Sequence, residues 1–244
     1  MLAIILAAGK GKRMKSDLPK VLHPIAGKPM VWRLTELLKK LGLTKIVLVV
    51  GHGREQVMAL YDHDPGIEFA IQHEQRGTAH AVMSAETHFK DFQGGILVLA
   101  GDVPLLTRKS LTALIEHHRR AGAAATVLTS VPPDATGYGR IIRGSDDSVK
   151  KIVEHADCSD EERAVREINT GIFMFDADAL RSALHKVDDK NAQGEFYLTD
   201  VMKIMIDEGK KTSALKLADY REALGVNSVK ELQELESIFT ELNR

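Results

Sequence analysis

The sequence predicts an α/β fold in which helices cover both faces of a doubly wound, mostly parallel sheet, with a small lobe added to it. Three runs at residues 2–6, 45–50 and 96–100 are almost entirely apolar, as expected of strands that are buried on both faces. Segments with helical apolar periodicity alternate with these runs, which is typical of parallel sheets built from βαβ units. Ligands of such sheets bind beyond the carboxyl ends of the strands, so the residues that follow each run are the first candidates for a site.

The elements follow one another in regular order through the first half of the chain. Pro29 precedes a predicted helix, and Gly42 is expected to end it. The apolar face of this helix consists of Met30, Leu34, Leu37, Leu38 and Leu41. Thr107 is expected to cap a helix that runs to about residue 121. The remaining predictions are helices at 54–61 and 78–89 and strands at 67–71 and 124–130.

The pattern changes after Val131, where two prolines and a glycine-containing loop interrupt the alternation. Short strands are predicted at 140–143 and 149–154, a polar segment follows, and residues 170–175 are apolar again. We interpret most of 131–200 as a small lobe that lies over the strand ends.

A separate helix is expected at the end of the chain, over residues 228–244, after a domain that covers residues 1–227. Ser228 and Glu231 have the spacing of a capping box. The apolar face of this helix would consist of Val229, Leu232, Leu235, Phe239 and Leu242.

Composition excludes several classes of protein. The net charge of −1 argues against a general nucleic-acid surface, and no apolar run approaches the roughly 18 residues of a membrane span. The apolar run begins directly after Met1, so we expect no signal peptide. Cys158 is the only cysteine, which rules out an internal disulfide and favours a cytoplasmic location.

The most informative segment is L-A-A-G-K-G-K-R-M at residues 6–14, directly after the first predicted strand. Its two glycines allow the backbone to approach a ligand and to present N–H groups, while Lys10, Lys12 and Arg13 add positive charge. Lys20 follows in D-L-P-K. We infer a polyphosphate site; the alternative is an ordinary turn with surface lysines.

Two common phosphate motifs are excluded. The P-loop pattern G-x-x-x-x-G-K-[ST] does not occur in the chain. The dinucleotide fingerprint G-x-G-x-x-G is incomplete, because Met14 stands where the third glycine belongs, and no acidic residue lies near Lys28, about 20 positions on. A dehydrogenase is therefore not expected.

Further polar residues follow the other predicted strands. Asp102 comes directly after the strand at 96–100 and suits Mg²⁺, which takes carboxylate and phosphate oxygens; the alternative is a turn aspartate that accepts from nearby backbone N–H groups. The loop at 72–78 carries two glutamines whose amides suit the edge of a nucleobase, although it is also a plain polar loop. A further group of polar residues suits sugar hydroxyls, with a structural role as the alternative. These residues are Glu154, the runs at 169–171 and 191–195, and Tyr197.

Other chemistries find no support in the pattern. The ten histidines show no zinc-ligand spacing, and Cys158 has no cysteine partner. His155 is a possible base, with a surface histidine as the alternative. The G-x-S-x-G elbow of many serine hydrolases is absent.

The motifs taken together resemble a known family. The segment at 6–14 followed by D-L-P-K-V-L-H resembles the opening of sugar nucleotidyltransferases. R-G-T-A-H-A-V, A-G-D-V-P-L, T-G-Y-G-R-I, I-V-E-H-A-D, E-I-N-T-G-I, N-A-Q-G-E-F-Y-L-T-D and G-V-N-S then occur in order. This series is similar to the uridyltransferase domain of the bacterial bifunctional N-acetylglucosamine-1-phosphate uridyltransferase/glucosamine-1-phosphate acetyltransferases. The likeness extends from about residue 2 to residue 227 and implies a Rossmann-like nucleotide-diphospho-sugar transferase fold.

The resemblance also implies roles for individual residues. The residues around the uracil would be Ala8, Gly9, Gln72, Gly77 and Thr78. The phosphates would be bound by Gly11, Arg13 and Lys20. Asp102 and Asn227 would hold Mg²⁺, and Arg13, Lys20 and Asp102 would be the catalytic residues. The N-acetylglucosamine moiety would contact Gly139, Glu154, Asn169 and Tyr197. The wider substrate-binding set adds Leu6, Ala7, Gln75, Gly101 and Thr170.

Four positions depart from the family pattern. Arg76 replaces a leucine beside the expected base pocket, which puts the nucleotide preference in doubt. Ala100 replaces a tyrosine, Ala156 replaces a basic residue, and Ser228 replaces an asparagine after Asn227. The family's second domain, a left-handed β-helix that carries the acetyltransferase, has no counterpart in the sequence, so we expect no acetyl transfer. The oligomeric state stays open.

The activity expected from the resemblance is transfer of UMP from UTP to N-acetylglucosamine 1-phosphate, a step of peptidoglycan precursor synthesis. The first alternative is a related transfer, with glucose 1-phosphate or a non-sugar phosphate as acceptor and UTP or dTTP as donor. The second is a non-catalytic protein that binds nucleotide sugars.

Overall fold

The computed structural model describes residues 1–242, without the side chain of Lys12, and its strands and helices alternate along the chain. The strands are β1 (Leu2–Ala7), β2 (Pro24–Ile25), β3 (Lys28–Pro29), β4 (Ile46–Val50), β5 (Ile67–Ile71), β6 (Gly95–Ala100), β7 (Ala125–Ser130), β8 (Arg140–Arg143), β9 (Val149–Val153), β10 (Ile168–Asp176) and β11 (Thr212–Lys216). The helices are α1 (Met30–Lys40), α2 (Arg54–Ala59), α3 (Thr78–Ser84), α4 (Arg108–Ala121), α5 (Asp160–Ala164), α6 (Ala177–Leu184), α7 (Leu198–Asp207) and α8 (Val229–Leu242).

A nine-stranded sheet forms the centre of the molecule. Seven strands lie in the order β11-β7-β10-β6-β1-β4-β5, and the hairpin of β8 and β9 is joined to β10. β5, β4, β1 and β6 are parallel to one another, and so are β7 and β11. β10 is antiparallel to both β6 and β7, so six of these seven strands point in one direction. The predicted doubly wound, mostly parallel sheet is therefore confirmed.

Side chains of the sheet pack into an apolar core on each face. Along β1, Leu2 and Ile4 belong to one core, whereas Ala3 and Ile5 belong to the other, as the alternation of a strand requires. Helices cover both faces, so the strands are apolar throughout rather than at every second residue. A third, smaller core lies beneath α8 and includes Leu235.

Most predicted elements form, with two shorter than expected. α1 ends as predicted before Gly42, and the Oγ1 atom of Thr107 accepts from the Ser110 N–H at 3.2 Å to cap α4. The predicted helix at 78–89 ends at Ser84, because Ala85 has φ −94° and ψ 0° and a 3₁₀ turn follows. The predicted helix at 54–61 ends at Ala59.

The range expected to form the small lobe contains part of the main sheet. β8 and β9 form a hairpin joined to the start of β10, whereas β10 itself runs through the centre of the sheet, between β6 and β7. The domain boundaries stay a prediction. The sequence reasoning did not identify β11, α6 and α7.

The C-terminal helix differs in detail from the prediction. The Ser228 hydroxyl accepts from the Glu231 N–H at 3.3 Å, but the Glu231 carboxylate accepts from the Asn227 N–H instead of closing the box on Ser228. Val229 and Leu242 are 46% and 43% exposed, so the buried face is narrower than expected. Residues 243 and 244 of the predicted helix lie outside the described residues. None of the helices among residues 1–242 has the length and apolar character needed to cross a bilayer.

Candidate active site

Loops from several parallel strands meet at one edge of the sheet. β1, β4, β5 and β6 all end there, and backbone hydrogen bonds continue past the strands. Gly101 N–H donates to Leu6 O at 2.9 Å, and Gln72 N–H donates to Val50 O at 2.8 Å. The polar loops predicted to bind ligands are thus held side by side by the same ladder that builds the sheet.

Lys20, Asp102 and Asn227 meet at the centre of this edge. The Lys20 ammonium donates to Asp102 Oδ2 and, at 3.2 Å, to Asn227 Oδ1. The backbone holds the two oxygen donors together, because Val226 N–H donates to Asp102 O at 3.1 Å. The Lys20 and Asp102 side chains are 17% and 16% exposed, so most of this charge pair is shielded from solvent while a small part can still contact a ligand.

This arrangement fits a hard cation. A carboxylate oxygen and an amide oxygen already point at one positive charge, and these are ligands that Mg²⁺ accepts, with substrate phosphates completing the set. Within residues 1–242 no group of three or more His, Cys, Asp or Glu side chains is placed to hold a metal by itself. The donor set therefore suits a cation that arrives with a phosphate ligand.

A first cavity, of about 300 Å³, lies on the β5 side of this centre. Gln72 forms part of its wall and is 3% exposed. The Gln75 amide donates to Gln72 O at 3.3 Å, which links the two glutamines of the loop. The predicted residues that line this cavity are Leu6, Ala7, Ala8, Gly9, Lys20, Gln72, Gln75, Gly77, Thr78 and Asp102. We call it the nucleotide cavity because it gathers the residues predicted for the base, together with Lys20 of those predicted for the phosphates.

A second cavity, of about 330 Å³, lies on the other side of the centre, and we call it the sugar cavity. The side-chain oxygen Oδ1 of Asn169 accepts from Gly171 N–H at 2.9 Å, and the Thr170 hydroxyl donates to Leu128 O at 2.7 Å. Thr170 thus also has a structural role. The predicted residues that line this cavity are Leu6, Thr78, Asp102, Gly139, Glu154, Asn169, Thr170 and Asn227. Asp102 therefore lines both cavities.

Four predicted residues lie outside these two cavities. Gly11 packs against Lys20, and Gly101 lies against Leu6 O. Arg13 lines a separate cavity of about 250 Å³ that it shares with Asn227. Tyr197 lines a neighbouring cavity of about 410 Å³, where its hydroxyl donates to Gln193 Oε1 at 2.8 Å. The roles predicted for these four residues stay predictions.

Tyr138, Thr199 and Gly225 line the sugar cavity although the sequence reasoning gave them no role. Tyr138 lies in the segment T-G-Y-G-R-I, where the flanking glycines were the available signal. Burial raises the pKa of the Tyr138 hydroxyl, and the nearby Asp102 charge raises it further. Thr199 donates to Glu154 Oε1 at 3.1 Å and so orients that carboxyl group.

Glu154 is the carboxylate with the least favourable surroundings in the sugar cavity. Burial raises its pKa, the Thr199 hydrogen bond opposes this effect, and the negative charges of Asp200, Asp157 and Glu195 raise the pKa further. The pattern is typical of a group kept for ligand binding rather than for stability.

The departures from the family pattern have different surroundings. The Arg76 guanidinium lies 4.7 Å from the Phe196 ring centre and 3.3 Å from Asp189, and Arg76 does not line the nucleotide cavity. The effect of Arg76 on the nucleotide preference therefore stays a prediction. Ala100 lines both cavities, and Ala156 is exposed in the 3₁₀ turn His155–Asp157.

Comparison with known proteins identifies relatives that match nearly the whole chain. The family model described as "Nucleotidyl transferase" matches residues 2–225. The bifunctional protein GlmU of Geobacillus thermodenitrificans is 50% identical over 236 residues, which is 97% of this chain and 51% of that protein. The bifunctional protein GlmU of Bacillus velezensis is 48% identical over 239 residues, 98% of this chain and 52% of that protein. The chain thus spans about half the length of these relatives.

A solved structure shares the fold. The crystal structure of a UDP-glucose pyrophosphorylase complexed with UDP-glucose has a TM-score of 0.78 and covers 99% of this chain and 100% of its own. Its sequence identity is 16%, so the likeness concerns the architecture of the sheet and helices.

We expect Glu154→Gln to stabilise the fold at neutral pH. Because the folded-state pKa of Glu154 is raised, its carboxyl favours folding fully only below about pH 4, and this contribution is lost as pH rises through the folded pKa. Glutamine keeps an acceptor for Thr199 and carries no charge. The melting temperature should therefore rise by a few degrees at pH 7–8, with a smaller gain at lower pH. The exposed Glu161→Gln is the matched control; a gain that does not vary with pH would contradict the expectation.

Proposed function

The chain belongs to the nucleotidyl transferase family, and on that basis we propose that it transfers the UMP group of UTP to N-acetylglucosamine 1-phosphate, with release of pyrophosphate. The observation that carries the proposal is the shared wall of the two cavities. Asp102 lines both, and Lys20 and Asn227 contact one another beside it. Two phosphate-bearing ligands placed in these cavities would meet at this positive centre. The relatives are bifunctional by name and the chain spans about half their length, so the proposal concerns only the activity that these two cavities support.

The nucleotide cavity suits a pyrimidine nucleotide. The buried Gln72 amide offers hydrogen bonds to the edge of a base, and the glycine loop from Gly9 approaches without side-chain bulk. The sugar cavity offers the Glu154 carboxylate and the Asn169 amide to the hydroxyl and acetamido groups of an amino sugar. These contacts orient the two substrates without taking part in bond changes.

The reaction needs positioning and positive charge more than proton transfer. A phosphate oxygen of the sugar phosphate attacks the α-phosphorus of UTP in line, and pyrophosphate leaves. The attacking oxygen is already anionic, so the protein supplies no general base. Lys20 neutralises charge where the phosphates meet, and Arg13 would extend the positive charge along the leaving group. Bringing two such anions together is itself a large part of the catalysis.

A divalent cation fits the same centre, and we propose Mg²⁺ held by Asp102 and Asn227. When bound, it would neutralise phosphate charge and act as a Lewis acid. Its entry would require the Lys20 ammonium to give up its bond to Asp102 and to turn toward a phosphate.

A pyrophosphate-release assay across a panel of substrates tests the proposal. We expect the fastest release with UTP and N-acetylglucosamine 1-phosphate and loss of release in EDTA, with recovery on added Mg²⁺. Faster release with glucose 1-phosphate would favour the related transferase. Binding of a UDP-sugar without release from any substrate pair would favour a non-catalytic protein.

We expect Lys20→Ala and Asp102→Ala each to lower kcat at least a hundredfold, as losses of preorganised charge commonly do. The matched controls are Lys90→Ala and Asp91→Ala, an exposed pair 3.9 Å apart that lies outside both cavities. Binding of Mn²⁺ in the presence of UTP, followed by its magnetic resonance, should weaken in Asp102→Ala. Near-normal kcat in that variant would refute the metal assignment.

We expect Gly11→Ala to reduce kcat about tenfold to a hundredfold by displacing Lys20. A Cβ atom at Gly11 would lie 2.8 Å from Lys20 Cβ, and the backbone there has φ +57°. Gly122→Ala is a matched control, since its φ is +55° and no atom lies within 4 Å of the added Cβ. Both variants carry about 1–2 kcal/mol of backbone strain, so both melting temperatures should fall, and any larger fall for Gly11→Ala reports the added contact with Lys20. Equal kcat values would show that Gly11 does not position Lys20.

A further inference from the structure

The Gln72 side chain is held in one orientation by two acceptors. Its amide nitrogen lies 3.1 Å from Gly77 O and 3.0 Å from His80 Nδ1. A carbonyl oxygen can only accept, so the amide edge that faces Gly77 must be the NH₂ group. Its second hydrogen then points at His80, and both donors of the amide are used.

This geometry also determines the state of the imidazole. A ring nitrogen that receives an N–H must carry a lone pair, so Nδ1 of His80 is unprotonated and its ring proton is on Nε2. Within residues 1–242 no donor reaches Gln72 Oε1, and the side chain lines the nucleotide cavity. The atom available to a ligand is therefore Oε1 of Gln72, which can only accept a hydrogen bond.

We propose that His80 is a positioning residue that makes the nucleotide cavity select bases with a ring N–H. Uracil and thymine carry a proton on N3 and can donate to Gln72 Oε1, whereas cytosine has an acceptor at N3 and meets oxygen with a lone pair. The inference rests on the proposed function in so far as it places a pyrimidine base in this cavity.

Rotation of the Gln72 amide by half a turn would be needed to accept cytosine. The rotated amide would place its oxygen against Gly77 O, which can only accept, and against His80 Nδ1, which could donate to it only after the ring proton had moved from Nε2. Without the imidazole, only the Gly77 contact opposes the rotation. One hydrogen bond of this kind contributes about 0.5–1.5 kcal/mol, which corresponds to a change in selectivity of about twofold to twelvefold.

The two acceptors are held by a rigid frame. Ala79 N–H at the start of α3 donates to Phe196 O at 2.8 Å, and a Cβ atom at Gly77 would lie 2.5 Å from the same oxygen. The His80 ring packs against the Phe196 ring, with 6.3 Å between their centres. The imidazole and the Gly77 carbonyl therefore keep their places when the amide is free to turn.

The test compares two replacements of His80. His80→Leu removes the acceptor, whereas His80→Asn keeps one, because Asn Oδ1 is as many bonds from the backbone as Nδ1. With the ratio of kcat/KM for UTP over CTP as the readout, we expect His80→Leu to lower the ratio about tenfold and His80→Asn to hold it within about threefold of the unchanged chain. An unchanged ratio in His80→Leu, including one that results from equal losses for UTP and CTP, would overturn the proposal.

Two further measurements separate this inference from the proposed function. Calorimetric titration of UTP and CTP gives the same ratio as affinities, so an unchanged chain that binds UTP without turnover would refute the function and leave the selectivity test intact. Nitrogen-15 NMR of histidine-labelled, unsubstituted chain reports the ring proton directly and needs no variant to fold. A proton on Nδ1 of His80 would overturn the inference; a proton on Nε2 alone supports it.

Discussion

The bond of the Lys20 ammonium to both Asp102 and Asn227 is the interaction on which the site depends. Its partners lie 82 and 207 positions away in sequence, so only the folded sheet brings them together. A carboxylate so little exposed needs a positive partner, because an unpaired charge there would be costly. The same pair supports the proposed chemistry, in which a divalent cation would replace the ammonium between the two oxygens and phosphate groups would bind beside it.

The antiparallel direction of β10 makes the second cavity possible. A strand parallel to its neighbours would begin at the opposite edge of the sheet. Because β10 is reversed, its first residues lie at the edge where β6 ends, and Asn169 faces the same cavity as Asp102. The sequence predicted an apolar run at 170–175 but not its direction, since an apolar pattern is the same whichever way the strand runs. Asn169 was therefore predicted from the sequence, whereas the strand direction that brings it to this cavity was not.

Among the other strands, those that are fully buried were predicted well from the sequence. β1, β4 and β6 were found nearly to the residue, because strands buried on both faces are continuous apolar runs. β11 was missed, and its residues are only partly buried, which weakens that signal. Residue types after the strands predicted most of the two cavities, but side-chain direction depends on tertiary packing. Arg76 is an example, since its guanidinium contacts Asp189 and the Phe196 ring, and the residue does not line the nucleotide cavity that its neighbour Gly77 lines.

Gly77 shows why stability and recognition cannot be separated at every position of this site. Its backbone packs so closely on Phe196 that any side chain would collide, and its carbonyl is one of the two groups that orient Gln72. A change there disturbs both the start of α3 and the nucleotide cavity, so its effect on activity has no single cause. The imidazole of His80 differs, because it orients the amide from a helix whose backbone is already bonded to Phe196. The proposed recognition of the base can therefore be tested at His80 without a change to the backbone hydrogen bond between α3 and Phe196.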